Sequence, residues 1–514
     1  MAFGFHEPDP RAFEEPAPDP QLLAQEAREI EEEIRRDRRS ACKVALFFVL
    51  AFVLCGLYTG WYALHNRVEL FSNDYNNRDE LLMERNRRGT IYAADRTELA
   101  KTEVHEDEEN GVYQTRIYPF GKMYAHAIGY ADLGGSGVES YCKYQLLHSD
   151  VSFSEKVACD KKENAADRLY PGNNVVTTLD PKLQQAAYEA LGDLKGAVVI
   201  TEPSTGKILA MVSKPDFDPG QIEDLWEGLL NDSESGTLVN RVTQGLYPPG
   251  STFKIVDCID LLEELPDAGK TYSFDCDGQF EQGEDRIHCF DYEVHGKQDL
   301  KESFAHSCNS SFANIGLNYI TTKNMRQTLR RMLFNTDLPY DLPSAQSHID
   351  LRDDLPTDQV MQVYIGQGQT EVTPLHMNLI TCTVANGGVL MKPYLVETVE
   401  TASGEVLEHY DPRPVGTLID SDVAGKVADL MKAVCSKEYT GTARMLDGRG
   451  YTVAGKTGSA EYREGIEDFH SWFTGFAPAD DPKICITVVI EGQGNSSSYA
   501  VPVTAEILDS YFGN

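Results

Sequence analysis

A run of apolar residues near the N-terminus constrains this 514-residue chain more than any other feature. Residues 44–64 contain no formally charged side chain and are rich in Leu, Phe, Val and Ala. At about 1.5 Å per residue, a helix of this length crosses a hydrocarbon layer of roughly 30 Å. Tyr58, Trp61 and Tyr62 lie near its end, as in an interfacial aromatic belt. We therefore expect a retained transmembrane anchor at residues 43–64, in preference to a buried core helix or a cleaved signal peptide.

The charges that flank this run predict its orientation. Basic residues precede it, and acidic residues follow it: Arg35, Arg36, Arg38, Arg39 and Lys43 on one side, and Asp74, Asp79 and Glu80 on the other. The positive-inside rule then places the N-terminus in the cytoplasm and everything after about residue 65 outside it. The formal net charge of -35 argues against a nucleic-acid partner, because such partners require a basic surface.

The length of the chain predicts several domains. Residues 1–42 are interpreted as a cytoplasmic segment, with a disordered acidic Pro-rich tail and a charged helix at about 21–39. Residues 65–175 mix short β-like runs with Gly-rich turns, which is typical of a small α+β pedestal. Residues 176–514 form the largest predicted domain, with a helix at 181–194 and strands at 196–201, 207–212, 451–454, 472–476 and 484–490. Strands from both ends of this region can share one antiparallel sheet, which predicts an α/β (α+β) catalytic domain.

A serine followed three residues later by a lysine can form a nucleophile and its base, because both lie on one helical face. This spacing occurs at Ser40, Ser140, Ser204 and Ser251. Only Ser251 follows a Pro-Pro-Gly turn and begins a segment with a helical apolar stripe, made by Phe253, Ile255, Val256, Ile259 and Leu262. Ser251 and Lys254 are therefore the predicted catalytic pair.

Two later motifs supply what carbonyl chemistry at Ser251 also needs. Ser307-Cys308-Asn309 offers a hydroxyl and an amide, and Lys456-Thr457-Gly458 offers a cation for an anionic substrate. Either motif alone is weak, since Ser-x-Asn is common at helix caps and Lys-Thr-Gly at strand ends. Their order and spacing after Ser251 resemble the serine-lysine acyltransferases, which include penicillin-binding proteins and serine β-lactamases.

The resemblance to class B penicillin-binding proteins covers nearly everything after residue 85. It extends to residues 88–91, 126–130, 137–139, 178–180, 366–368, 373–375, 385–388, 441–443 and 472–478. It implies a peptidoglycan D,D-transpeptidase, a serine acyltransferase that cross-links stem peptides, releases D-alanine and is acylated by β-lactams. It also implies that residues 65–175 form a pedestal or dimerisation-like domain before a penicillin-binding/β-lactamase-like transpeptidase domain. No cofactor and no metal are expected.

The same resemblance implies a role for each motif residue. Ser251 attacks the D-alanyl-D-alanine carbonyl with Lys254 as base, and Ser307 relays a proton to the leaving amine. Asn309 holds the substrate amide, and Lys456 binds the terminal carboxylate with Thr457. Gly458 completes that motif, and the N–H groups of Ser251 and Ser459 form the oxyanion hole. Ser459 stands where many relatives have Thr, which keeps a hydroxyl there.

Other functions remain as alternatives. A membrane-anchored β-lactamase shares the Ser-Thr-Phe-Lys tetrapeptide, but the pedestal and Asn309 argue against it. A non-enzymatic β-lactam sensor or division scaffold is a further alternative, opposed by the three intact motifs. About 110 residues between membrane and sheet are too few for a second catalytic domain, so a separate glycan polymerase of the division or elongation machinery is an expected partner.

Nine cysteines follow residue 65, and an odd number cannot all pair within one chain. Cys276 and Cys289 flank an acidic loop near His288 and His295, an arrangement that could bind zinc or form a disulfide. We favour a disulfide or free thiols there. Cys308 is interpreted as a small buried residue within the second motif.

Overall fold

A computed structural model describes residues 19–65, 82–107, 111–232, 234–461, 469–493 and 498–513. The chain divides into two compact units, residues 1–76 and 77–514. The predicted disordered Pro-rich tail covers the first twenty residues, of which residues 1–18 lie outside the described residues and Pro20 already belongs to a helix.

Among residues 19–65, the part of the first unit that the structure describes, there is one helix, Pro20–His65, of 46 residues. The sequence suggested a charged helix followed by a membrane helix, but the two are continuous because Ser40, Ala41 and Cys42 include no helix breaker. Within the described part of the chain, this is the helix long and apolar enough to cross a membrane.

The second unit is built on a five-stranded antiparallel sheet, which confirms the predicted sheet made from both ends of the region. Its strand order is Ala454–Glu461, Phe469–Ala477, Ile484–Ile490, Gly196–Thr201 and Ile208–Lys214. Every residue of the two strands Gly196–Thr201 and Ile484–Ile490 is buried. Such continuous apolar runs require cover on both faces of the sheet.

Helices provide that cover. Thr381 of the helix Pro374–Ala385 hydrogen-bonds Thr474, and the first residue of the helix Ala500–Phe512 donates its N–H to Ser471. Thr474 and Ser471 are three residues apart on one strand, so their side chains point to opposite faces. The sheet therefore lies between these two helices.

The edge strand differs most from its prediction. The sequence suggested a strand at 451–454, whereas the strand is Ala454–Glu461 and contains the whole Lys-Thr-Gly motif. These residues lack an alternating apolar pattern, yet seven of the eight are buried or half-buried because they pair along the full strand Phe469–Ala477. Lys456 pairs with Thr474, which places it on the face covered by the helix Pro374–Ala385.

A second sheet has six strands, in the order Val406–His409, Val396–Glu400, Asn174–Thr177, Ile91–Tyr92, Glu98–Asp107 and Gly111–Ile117. It combines strands of the predicted pedestal with two strands from near residue 400. Residues 77–514 accordingly form one compact unit. The domain boundary at residue 175 stays a prediction.

The remaining strands form four two-stranded sheets: Asn86–Arg87 with Tyr170–Pro171, Ser273–Cys276 with Gly296–Asp299, Gln279–Gln282 with Asp285–His288, and Val389–Met391 with Pro414–Thr417. The remaining α-helices of the second unit are Ala125–Ile128, Gly137–Tyr141, Lys143–Leu147, Phe153–Asp160, Pro181–Leu191, Ile222–Asn231, Lys254–Glu264, Ala268–Thr271, Leu300–Ala305, Asn309–Asn318, Thr322–Arg331, Thr357–Tyr364 and Ser421–Val434. Short 3-10 helices are Gly121–Tyr124, Ala166–Arg168, Pro219–Gln221, Gly250–Phe253, Phe290–Tyr292 and Arg444–Leu446.

Candidate active site

Ser251 lies in a single 3-10 turn, Gly250–Phe253, that leads into the helix Lys254–Glu264. The turn places Ser251 at the mouth of a cavity, while all five members of the expected apolar stripe are buried. The same helix also buries Asp257 and Asp260, which an apolar stripe did not suggest. Burial raises the pKa of Asp257 well above its usual range, which favours the neutral form of this carboxyl group.

Two glycines allow neighbouring backbones to hold the serine turn. A methyl group on Gly366 would lie 2.1 Å from the carbonyl oxygen of Gly250, whose N–H donates to the carbonyl oxygen of Gly366 at 2.9 Å. A methyl group on Gly458 would lie 2.8 Å from the carbonyl oxygen of Pro249. The turn is therefore fixed between residue 366 and the edge strand.

We expect Gly366→Ala to slow acylation of Ser251 by about tenfold or more, because the clash must displace the serine turn. Gly368→Ala is the matched control. Both glycines have positive φ, 69° and 71°, but a methyl group on Gly368 meets nothing closer than 3.5 Å. Penicillin acylation rates of the two folded variants check this prediction, and equal rates would contradict it.

Ser307 occupies the turn between the helices Leu300–Ala305 and Asn309–Asn318. Its φ of 59° is unusual for a residue with a side chain and marks a constrained position. Lys254 Nζ donates to the Ser307 carbonyl oxygen at 2.7 Å and to Asn309 Oδ1 at 2.8 Å, and it lies 3.4 Å from Ser307 Oγ. The first and second motifs are thus joined through Lys254.

The third motif reaches the same hydroxyl. Lys456 Nζ donates to Ser307 Oγ at 2.9 Å and to the Thr457 carbonyl oxygen at 3.0 Å. Thr457 Oγ1 lies 2.6 Å from Thr442 Oγ1 at the cavity wall. Ser307 therefore has two lysine amines beside its hydroxyl, as a proton relay requires.

Burial sets the ionisation of both lysines. Lys254 and Lys456 have no exposed surface. Burial lowers the pKa of Lys254 to about 8. Burial, and then the neighbouring Lys254, hold the pKa of Lys456 well below its usual range. A neutral amine is consequently accessible beside Ser307 near physiological pH.

The cavity in front of these groups has a volume of about 330 Å³. Of the predicted site residues, Ser251, Ser307, Asn309, Thr457 and Ser459 line it directly. Lys254 and Lys456 lie behind that surface and hydrogen-bond Ser307 Oγ, and Gly458 approaches the serine turn closely.

Nine further residues, none of them among the predicted catalytic or substrate-binding residues, line the cavity: Phe290, Glu293, His295, His306, Ile365, Gln367, Thr442, Arg444 and Met445. Gln367 and Thr442 belong to segments that carried the family resemblance, but their spacing alone indicated no role. Arg444 places a cation at the cavity wall, which favours an anionic ligand.

The other Ser-x-x-Lys serines lie elsewhere. Ser40 is in the long helix of the first unit, and Ser140 is in the short helix Gly137–Tyr141. Ser204 is in an exposed turn, and its Lys207 pairs with Glu397 at 2.6 Å. Local spacing alone therefore does not single out one serine, and of these four Ser251 is the one that lines the cavity.

The loop cysteines lie beside the second motif. Cys276 Sγ and Cys289 Sγ are 3.7 Å apart, well beyond a disulfide bond of about 2.05 Å. His295 Nδ1 lies within hydrogen-bond distance of Cys276 Sγ. His288 instead hydrogen-bonds the Cys289 carbonyl oxygen and stacks on Tyr292. Cys308 is fully buried, as expected, but it also lies 3.6 Å from Cys289, which the sequence did not suggest.

Comparisons with known proteins agree with this geometry. The family model "Penicillin binding protein transpeptidase domain" matches residues 196–509. The peptidoglycan D,D-transpeptidase PbpA of Mycolicibacterium smegmatis is 32% identical over 413 residues, covering 74% of this chain and 80% of PbpA.

Solved structures give the same picture. The D,D-transpeptidase domain of a peptidoglycan glycosyltransferase from Eggerthella lenta is 30% identical with a TM-score of 0.73, covering 84% of this chain and 99% of that one. Penicillin-binding protein A from Mycobacterium tuberculosis, solved as a ceftriaxone acyl-enzyme, is 27% identical with a TM-score of 0.74, covering 83% of this chain and 99% of that one.

Proposed function

The chain belongs to the penicillin-binding protein transpeptidase family, and we propose that Ser251 is the residue it acylates while cross-linking peptidoglycan. One observation carries this assignment. The lysine amines of the first and third motifs meet at Ser307 Oγ, behind a cavity lined by Ser251.

Acylation begins when Ser251 Oγ attacks the carbonyl carbon between the two terminal D-alanines of a donor stem peptide. Lys254, in its neutral form, accepts the hydroxyl proton. The backbone N–H groups of Ser251 and Ser459 stabilise the oxyanion. In this structure the hydrogen bonds of Lys254 go to Ser307 and Asn309, and its hydrogen bond to Ser251 Oγ forms when substrate binds.

Collapse of the tetrahedral intermediate requires a proton on the departing amine. Ser307 donates it and is reprotonated through Lys254, leaving Lys456 with Thr457 to hold the terminal carboxylate. Asn309 positions the substrate amide, and Arg444 adds attraction for the carboxylate. An acceptor amine then attacks the acyl-enzyme and forms the cross-link.

A β-lactam follows the first half of this path. Its ring-opened acyl group remains on Ser251 because no leaving fragment vacates the cavity for an acceptor. The same site would therefore bind penicillin and cross-link stem peptides, and slow hydrolysis of the acyl-enzyme would separate the protein from a β-lactamase, which hydrolyses it rapidly.

The long N-terminal helix anchors the chain in the membrane. We propose that its basic N-terminal side faces the cytoplasm, because Arg35, Arg36, Arg38, Arg39 and Lys43 precede the apolar run. The catalytic unit then faces the peptidoglycan. We also propose that a separate glycan polymerase supplies the strands that this protein cross-links.

Full-length protein in detergent tests the function with a donor stem peptide ending in D-alanyl-D-alanine and a separate amine acceptor. We expect D-alanine release together with a cross-linked product, both abolished by prior treatment with penicillin. D-alanine release without any cross-linked product would indicate a carboxypeptidase, and rapid penicillin hydrolysis would indicate a β-lactamase.

A further inference from the structure

Three thiols and one imidazole converge beside the active-site cavity. The ligand atoms of Cys276, Cys289, His295 and Cys308 all lie within 4.8 Å of one another. Cys289 Sγ is 3.7 Å from Cys276 Sγ and 3.6 Å from Cys308 Sγ, and Cys276 Sγ is 3.5 Å from His295 Nδ1.

These distances match the spacing of ligand atoms around a tetrahedral zinc ion. Tetrahedral zinc with Zn–S of about 2.3 Å and Zn–N of about 2.0–2.1 Å requires roughly 3.8 Å between sulfurs and roughly 3.6 Å between sulfur and nitrogen. A disulfide requires about 2.05 Å between sulfurs and would leave one of the three thiols and the imidazole unused. Three sulfurs and one nitrogen are also the ligand types that select zinc over magnesium or calcium.

We propose that Cys276, Cys289, His295 and Cys308 bind one structural zinc ion that holds the second active-site motif in place. Four protein ligands close the coordination sphere, as in structural rather than catalytic zinc sites. Binding releases the three thiol protons to solvent and leaves three thiolates around the metal.

The surroundings of the cluster suit thiolate ligands. All three cysteines are buried, and the His295 side chain is only 7% exposed. Cys308 Sγ accepts the N–H of Ser311 at 3.4 Å, at the start of the helix Asn309–Asn318, where the helix dipole favours a negative charge. The Ser310 hydroxyl lies 3.2 Å from Cys289 Sγ.

His295 has the outer contact expected of a metal-bound imidazole. Its Nδ1 faces the thiols, while its Nε2 faces the Glu293 carboxylate at 3.7 Å. A carboxylate behind the second ring nitrogen orients a ligand histidine and selects its tautomer. His306 stacks parallel to the ring at 5.5 Å and restricts its rotation.

The position of Cys308 connects the zinc site to the second active-site motif. Cys276, Cys289 and His295 belong to residues 273–299, a segment with four short strands, whereas Cys308 stands between Ser307 and Asn309, the two residues that contact Lys254. Zinc therefore ties this segment to the turn that carries Ser307. This positioning role rests on the proposed function, but the metal site itself does not.

Metal analysis of full-length protein, purified in detergent without chelator, tests the site. We expect about one zinc per chain in the wild type, a loss of at least about tenfold in Cys289→Ser, and unchanged zinc in Cys435→Ser. Cys435 is the matched control, since it is buried in the same unit and lies outside the cluster. Zinc at wild-type level in folded Cys289→Ser, or iron in place of zinc, would overturn the assignment.

A second measurement covers the case in which Cys289→Ser does not fold. Wild-type protein is titrated with an organomercurial while a chromophoric indicator reports released zinc. We expect one zinc released as the three cluster thiols react, identified by peptide mapping. A Cys276–Cys289 or Cys289–Cys308 disulfide in protein purified without reductant, or three free thiols with no zinc, would refute the site.

The positioning role is tested on zinc-depleted wild-type protein that remains folded by circular dichroism. We expect penicillin acylation to slow by about tenfold or more and to recover when zinc is restored, because a displaced Ser307 turn misplaces the proton relay. An unchanged acylation rate would overturn the positioning role alone. Zinc-loaded protein that never reacts with penicillin would instead overturn the proposed function.

Discussion

Lys254→Arg is expected to slow penicillin acylation by about a thousandfold, the middle of the range of general-base contributions. Arginine stays protonated in proteins, so it cannot accept the Ser251 proton. Lys254 is fully buried, and its amine contacts the Ser307 carbonyl oxygen and Asn309. Stopped-flow acylation of the folded variant measures the loss.

Lys207→Arg is the matched control, because Lys207 also follows a serine by three residues. Its amine pairs with Glu397, an interaction that arginine can keep. We expect a rate within about twofold of the wild type, far below the effect of any catalytic group. Comparable losses in both variants would contradict the assignment of Lys254 as the base.

The pH dependence of wild-type acylation checks the same role. Burial lowers the pKa of Lys254 to about 8, so the fraction of neutral amine rises about tenfold per pH unit below that value. The groups that face Lys254 are Lys456 from the edge strand, Cys289 and Cys308 from the second-motif region, and Asp257 and Cys258 from its own helix. We expect the rate to rise between pH 6 and pH 8 and then level off. A rate that falls over this range would contradict a neutral lysine base.

Glu139→Gln is expected to destabilise the second unit by about 3–5 kcal/mol, the cost of breaking a buried ion pair by removing one partner. Glu139 is fully buried and accepts hydrogen bonds from Arg88 Nε at 2.8 Å and Arg116 Nε at 2.7 Å. Glutamine would leave two guanidinium groups without their counter-charge. Denaturant unfolding followed by circular dichroism measures the change.

Glu98→Gln is the control for that substitution. Its carboxylate pairs with Lys101 at 3.2 Å, but both side chains are more than a third exposed. We expect a loss below about 1 kcal/mol, as for surface pairs in general. The triad formed by Glu139, Arg88 and Arg116 is buried, whereas the Glu98 pair is exposed. Equal losses in the free energy of unfolding for Glu98→Gln and Glu139→Gln would show that burial does not increase the contribution of the triad to stability.

The buried group formed by Glu139, Arg88 and Arg116 also predicts that the free energy of unfolding falls at acid pH. Burial alone would raise the pKa of Glu139, but Arg116 and Arg88 together hold it below its usual range. A lowered folded-state pKa contributes stability above the unfolded pKa and loses it as the pH falls through the folded value. We therefore expect part of the acid destabilisation to disappear in Glu139→Gln.

This triad shows what the sequence could and could not predict. Residues 88–91 and 137–139 were noted for their family resemblance, yet nothing in their spacing places Arg88 against Glu139. Apolar patterns predicted the strands Gly196–Thr201 and Ile484–Ile490 at their observed bounds, because continuous buried runs carry a strong local signal. The contacts between distant segments carry no such signal.

In the candidate active site too, the sequence predicted local features but not the contacts between distant segments. The three motifs named the residues that meet, and the structure adds that Ser307 receives both lysines from a left-handed turn. The edge strand Ala454–Glu461 was placed too early, because its burial comes from pairing with Phe469–Ala477 and not from its own polar sequence. Cys308 looked like a small core residue, since its thiol partners lie on a separate segment, residues 273–299, whose path the sequence does not reveal.

Mass spectrometry of the penicillin-treated full-length protein tests the assignment of Ser251 most directly. Ring opening adds all the atoms of the drug, so we expect a stable mass increase equal to one whole penicillin on the peptide that contains Ser251. The adduct should be absent in Ser251→Ala and present in Ser204→Ala, whose serine has the same lysine spacing. An adduct on any other residue, or none on the folded wild-type protein, would contradict Ser251 as the nucleophile.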